Sequence, residues 1–138
     1  MQGYYRCHEE KIVFVCEDDL WLTDVKGETP RRLTSNLGEV TMPYFSPDGK
    51  WIAFTGREEG NPEVYVIPSS GGKEKRITYL GSTACSVAGW HNDRIIFATN
   101  YAQPFKRITE LWEVDVDGNN LEKLPYGYSR NVSFGKGV

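Results

Sequence analysis

Apolar residues fall along this chain in short runs broken by turn-forming residues, and the runs return at a nearly fixed interval. Ile12-Val13-Phe14, Ile52-Ala53-Phe54 and Ile95-Ile96-Phe97 share one pattern, with their phenylalanines 40 and 43 residues apart. A second row keeps step with it: in Leu20-Trp21-Leu22, Val64-Tyr65-Val66 and Leu111-Trp112-Glu113 the central aromatics are 44 and 47 residues apart. Arg32-Leu33-Thr34, Arg76-Ile77-Thr78 and Lys123-Leu124-Pro125 repeat with the same two spacings, and Phe45, Trp90 and Phe134 follow one another at 45 and 44. No window carries a useful helical apolar period. Apolar residues on nearly consecutive positions suit strands of sheets covered on both faces.

Each unit therefore predicts four short strands, a before a turn, b after it, then c and d. Pro47-Asp48-Gly49 is the a–b turn of the second unit, because proline presets φ and glycine supplies a positive φ; His91-Asn92-Asp93 does this in the third. Gly71-Gly72 and Asp117-Gly118-Asn119-Asn120 make the later turn between c and d. A period of roughly 40 to 45 residues with four strands per unit is that of a propeller blade. The expected fold class is all-β, a partial β-propeller: blade one over about 4–38, blade two over about 39–81, blade three over about 82–126, and the first strand of a fourth over about 127–138. A closed ring takes about four blades at minimum. The chain is thus expected to be a piece of a longer protein, and the isolated chain to self-associate through its open ends.

Composition narrows the function classes. A length of 138 residues fits one domain, and 39% hydrophobic with 25% charged residues of both signs argues for a globular chain over a disordered one. The formal net charge of −3 speaks against a nucleic-acid surface; Arg31-Arg32, Lys73 with Lys75-Arg76, and Lys106-Arg107 mostly have acidic neighbours and read as solvated faces. No run approaches the roughly 18 apolar residues of a membrane helix, and Met1 to Arg6 lack a basic start followed by an apolar stretch, so a cytoplasmic protein is expected. Cys7, Cys16 and Cys85 are odd in number and form no CxxC, which excludes a disulfide framework or a four-cysteine zinc site and predicts free thiols.

Chemistry-bearing residues are sparse. The only histidines, His8 and His91, fall in predicted turns; Ser69-Ser70-Gly71 and Gly81-Ser82-Thr83 are loop-like, and there is no GxSxG elbow. Cys85 with Ser86 and His91 can be drawn as nucleophile and base, yet Cys85 sits in a predicted inner strand and reads as a buried, inert thiol. Two acidic stretches are candidate cation sites. Glu17-Asp18-Asp19 joins strands b and c, and Asp115-Val116-Asp117-Gly118-Asn119 starts like a calcium loop but has Asn120 at the sixth place and Tyr126 at the twelfth, so both read as turns. Trp21, Tyr65 and Trp112 occupy equivalent places in strand c and predict packing between blades. The expectation is no catalytic residue, no metal ligand and no cofactor, with substrate-binding residues unassigned.

Several segments carry a family resemblance. Gly3-Tyr4-Tyr5-Arg6, the run Lys11 to Trp21 with its Glu17-Asp18-Asp19-Leu20-Trp21 segment, Arg32-Leu33-Thr34-Ser35 with Leu37-Gly38, Phe45 to Gly56, and Gln103-Pro104-Phe105 resemble the amino-terminal propeller of tricorn proteases over essentially the whole chain. The Ser46-Pro47-Asp48-Gly49 turn is also shared with propellers of the TolB and prolyl oligopeptidase type. The resemblance implies a parent with two propellers and a serine protease region of the tail-specific class, degrading short peptides in the cytoplasm. This chain would be the first half of its six-bladed first propeller, a non-catalytic passage for peptides, with the remaining blades and the protease domains as partners. The alternatives are a TolB-like scaffold for protein binding and the propeller of an α/β-hydrolase oligopeptidase. Two departures stand out. The stretch Tyr5 to Lys11 is short for an inner strand plus turn, which predicts an imperfect inner edge in blade one; and the family's arginine pair for a peptide carboxylate has no counterpart in Gly81 to Gly89, so that role is not carried over.

Overall fold

A computed structural model describes residues 5–104 and 108–128. Gly3 and Tyr4, Phe105 with Lys106-Arg107, and the strand expected at 127–138 beyond Tyr128 lie outside the described residues. Within them the chain forms twelve strands and no helix. Strands β1 (Tyr5–His8), β2 (Lys11–Cys16), β3 (Asp19–Asp24) and β4 (Arg31–Arg32) make the first sheet in that order. The second sheet is β5 (Thr41–Phe45), β6 (Trp51–Gly56), β7 (Glu63–Pro68) and β8 (Lys75–Arg76); the third is β9 (Cys85–His91), β10 (Arg94–Thr99), β11 (Glu110–Asp115) and β12 (Glu122–Tyr128). Every neighbouring pair is antiparallel, as successive hairpins require. The all-β, blade-by-blade architecture read from the repeat is the one observed.

The repeat rows are cross-strand partners. Phe14 pairs with Trp21, Phe54 with Tyr65 and Phe97 with Trp112, so the b-strand phenylalanine and the c-strand aromatic face each other in all three sheets. The sheets stack. Val13 and Leu20 of the first join Ile52, Phe54, Tyr65 and Ile67 of the second in one buried cluster; Ala53, Val64 and Val66 of the second join Val87, Ile95, Phe97 and Val114 of the third in another. Strand β6 is buried from Ile52 through Gly56 because alternate residues serve opposite interfaces. Phe54 and Tyr65 stack within their sheet with centroids 5.6 Å apart, and Tyr65 shares a buried cluster with Val13 and Leu20 of the first sheet, so the c-strand aromatic of the second sheet does pack between blades.

A turn-to-strand latch also repeats between sheets. The c–d turn of the second sheet lies on β4, where Arg31 Nη2 donates to the Ser70 carbonyl at 2.8 Å. At Gly71, with φ +96°, an added Cβ would stand 3.0 Å from that guanidinium. Gly118 is its equivalent 47 residues later, with φ +84°, and a Cβ there would stand 2.9 Å from the Ile77 carbonyl oxygen, just beyond β8.

The inner edge of the first sheet is more regular than its length suggested. All four residues of β1 pair with β2, from Tyr5 opposite Phe14 to His8 opposite Lys11. Two residues, Glu9 and Glu10, suffice for the turn, with Glu9 at φ 54°. Register shifts occur instead in the other two sheets: in their inner pairs between Thr41 and Tyr44 and opposite Ile96 and Phe97, and in the outer pair of the third between Glu110 and Trp112. Met42, inside the first of these bulges, has φ 55°. Strand β12 continues past Pro125 to place Tyr128 opposite Glu110, so Gly127 and Tyr128 belong to the third sheet.

Candidate functional site

The possible nucleophile and base are not brought together. Cys85 opens β9 opposite Thr99 and His91 closes it opposite Arg94. Six residue steps along an extended strand put them about 20 Å apart. Cys85 is buried, and that burial pushes its thiol well above the ordinary value of 9.0, which keeps it protonated and unreactive. Ser86 is its half-buried neighbour on β9. His8 packs its ring 5.7 Å from Phe45. Ser69 Oγ donates to the Gly49 carbonyl at 2.5 Å, and Ser82 and Thr99 share a 2.9 Å hydrogen bond. These hydroxyls are occupied in turn and strand-end bonding.

The acidic stretches fold as turns. Glu17 (φ 50°) and Asp18 (φ 66°) form a two-residue connection with positive φ at both positions, the type I′ pattern that matches hairpin twist. Asp115 takes Arg94 Nη1 at 2.6 Å and Asn120 Nδ2 at 2.7 Å, and its amide bonds the Asn119 carbonyl at 3.0 Å, closing the β11–β12 turn. Among the described residues no group of three or more His, Cys, Asp or Glu is disposed to hold a metal ion.

Asp19 instead belongs to a row that the sequence reading did not single out. It accepts Arg32 Nη2 at 2.5 Å and Thr34 Oγ1 at 3.0 Å, while Thr34 Oγ1 in turn receives the Leu20 amide at 3.0 Å. Glu63 repeats this in the second sheet, accepting Thr78 Oγ1 at 2.6 Å and Arg76 Nη2 at 3.3 Å, plus the amides of Leu80 and Gly81 at 3.1 and 2.9 Å. In the third sheet Glu110 keeps Lys123 at 3.3 Å and gains Gln103, but Pro125 replaces the threonine. Asp19, Glu63 and Glu110 are 44 and 47 residues apart, the spacing of the aromatic row. A carboxylate at the head of strand c thus ties down the incoming strand d. Its role is structural, since its bonds are spent within the blade.

A surface feature with free capacity among the described residues is a cleft of about 290 Å³ beside the a–b turns of the second and third sheets. Trp51, at the start of β6, and Trp90, in β9, line it with Val116; all three are half-buried and rest on the core between these sheets. The Trp90 indole is fixed by donating Nε1–H to the Tyr44 carbonyl at 3.0 Å. Asp48 and Asp93 lie exposed on the lining. The Ser46 hydroxyl at 2.7 Å and the Lys50 amide at 2.9 Å both donate to Asp48 Oδ1, and these bonds, the hydroxyl foremost, hold its carboxyl below the ordinary 3.8. A second cavity of about 250 Å³ near Lys11 and Arg31 mixes both signs of charge, and Thr23 and Asp24 there already bond the Glu28 carbonyl and the Lys26 amide.

Comparison with known proteins adds to this geometry. The family model of the tricorn protease N-terminal beta propeller domain matches residues 4–137. A tricorn protease homolog of Saccharolobus solfataricus is 37% identical over 142 residues, which covers 96% of this chain and 13% of that protein. A tricorn-like protease N-terminal subunit of Sulfurisphaera tokodaii is 32% identical, covering 96% of this chain and 71% of its own length. A crystal structure of the tricorn protease superposes with a TM-score of 0.85 at 34% identity, over 96% of this chain and 14% of that one. The chain therefore spans a small fraction of two of these relatives and most of the third.

Proposed function

We propose, on the premise that this chain belongs to the family of tricorn protease N-terminal β-propeller domains, that it is a non-catalytic propeller segment of a tricorn-like serine peptidase. In this reading it guides or gates peptides on their way to or from a protease domain carried elsewhere in the parent. The family match over 97% of the chain's span, residues 4–137 of 138, carries the proposal. The absence of any assembled nucleophile and base among the described residues supports the non-catalytic part, since hydrolysis would need both within hydrogen-bond reach. The remaining blades would follow Tyr128, where the third sheet ends, and the parent would work in the cytoplasm.

Extending the gene sequence past Val138 tests the proposal. A second propeller and a serine protease region are expected, either in the same frame or on a partner chain, because the Sulfurisphaera relative is described as a subunit. A genome with neither would overturn it. Purified protein should leave fluorogenic peptides intact. It should also self-associate at micromolar concentration in size exclusion with light scattering, because an end sheet without a neighbour leaves apolar area that association would bury. A cooperative monomer of 15.7 kDa would refute that part alone.

A further inference from the structure

We infer that the cleft between the second and third sheets, walled by Trp51, Trp90 and Val116 and rimmed by Asp48 and Asp93, binds the guanidinium side chain of an arginine. The argument rests on charge and shape together. Both ionisable groups lining the cleft are carboxylates, and its lining includes no lysine or arginine. Arg94, the residue after Asp93, is held by Glu113 at 3.0 Å and Asp115 at 2.6 Å and so does not fill it. Lys50 adds positive charge near Asp48 without lining the cleft.

An indole wall attracts a cation through the electron-rich ring face, and a guanidinium, flat and weakly hydrated, can lie on such a ring while its edge donates to carboxylates. An ammonium is a more strongly hydrated point charge and gives up more on entering an apolar cleft. The two bonds on Asp48 use Oδ1, which leaves Oδ2 outside them. Trp90 is already held in place by Tyr44, so its ring is ordered before a ligand arrives. The inference concerns this cleft alone and stands whichever parent carries the propeller.

The test is a titration of the intrinsic tryptophan fluorescence of the full 138-residue chain with N-acetylargininamide. N-acetylcitrullinamide, its uncharged near-isostere, is the control. A saturable change is expected with the arginine compound and none with the citrulline compound over the same range. Asp93→Asn, an exposed turn substitution, should weaken binding roughly fivefold, and 0.5 M salt, by shortening the screening length, should weaken it in the same direction. Trp51→Leu should abolish the response. Asp24→Asn in the other cavity should leave it unchanged, and circular dichroism identifies variants that keep the fold. An equal response to the citrulline compound, a saturable change that survives in folded Asp93→Asn with unaltered affinity, or no saturable change at all would overturn the inference.

Discussion

The first and second sheets are built from the same sequence rows, yet they are buried differently. Phe54 and Tyr65 in the second are fully enclosed, while their equivalents Phe14 and Trp21 in the first are half-buried. Gly71 stands against Arg31 of the preceding sheet, whereas at Gly27, its counterpart 44 residues earlier, an added Cβ would meet nothing within 4 Å. The second sheet lies between two others and the first has a described neighbour on one face only. An amino-acid pattern therefore specifies a blade, but the stack decides what each position is worth.

Truncating the paired phenylalanines should separate the two sheets most widely. Phe54→Ala should cost about 3–5 kcal/mol in urea unfolding and Phe14→Ala roughly 1–2 kcal/mol, since a half-buried ring leaves a smaller void. Equal losses would mean that the first sheet's outer face is as well covered as the second's.

The carboxylate clasps should show a smaller contrast. Glu63 is 1% exposed and its Arg76 partner 14%, whereas the Arg32 side chain paired with Asp19 is 50% exposed. Glu63→Ala strands the amides of Leu80 and Gly81 and should cost about 3 kcal/mol; Asp19→Ala should cost about 1 kcal/mol because water can serve Arg32. Matching denaturation midpoints for the two variants would remove the distinction.

The enclosed interface should also be visible in pH dependence. Cys85 lies between the second and third sheets with its thiol pKa raised by burial. The unfolded chain ionises this thiol near pH 9 while the folded chain does not, so the stability it lends is intact below that pH and is lost as pH rises above it. The slope should approach about 1.4 kcal/mol per pH unit, and Cys85→Ala should flatten it. An unchanged slope in that variant would count against the enclosed thiol.

The smallest effect concerns the latch glycines. Gly27→Ala and Gly118→Ala share backbone strain, with φ +80° and +84°, but only Gly118 also faces a carbonyl of the preceding blade. The second substitution should cost about 1 kcal/mol more than the first. Thermal melts of the two variants give that difference directly.

Much of this architecture was legible because the rows repeat residue types as well as spacing. Phe14, Phe54 and Phe97 announce strand b, and the Arg32-Leu33-Thr34 and Arg76-Ile77-Thr78 pair announces strand d. The clasp row was hidden for two reasons. Its members change identity from Asp19 to Glu63 and Glu110, and Asp19 stands in an acidic run whose turn chemistry draws attention first. The threonine two residues after each arginine was the available signal. Bulges such as that at Met42 leave no comparable mark, because register depends on partner strands far away in sequence. The cleft escaped for the same reason: Trp51 and Trp90 are 39 residues apart and meet through stacking alone.

The latch has a direction. The c–d turns of the second and third sheets reach back to the blade made before them, from Ser70 and Gly71 to Arg31 and from Gly118 to Ile77. A nascent chain leaving a ribosome thus finds the receiving surface for the c–d turn of its second or third blade already synthesised. The same polarity suits growth by gene duplication: a unit copied into the middle of the array brings its own turn for the blade behind it and its own d strand for the blade ahead. Heterologous contacts of this kind add units without redesign, and the number of units an array can hold is left to the angle between neighbours.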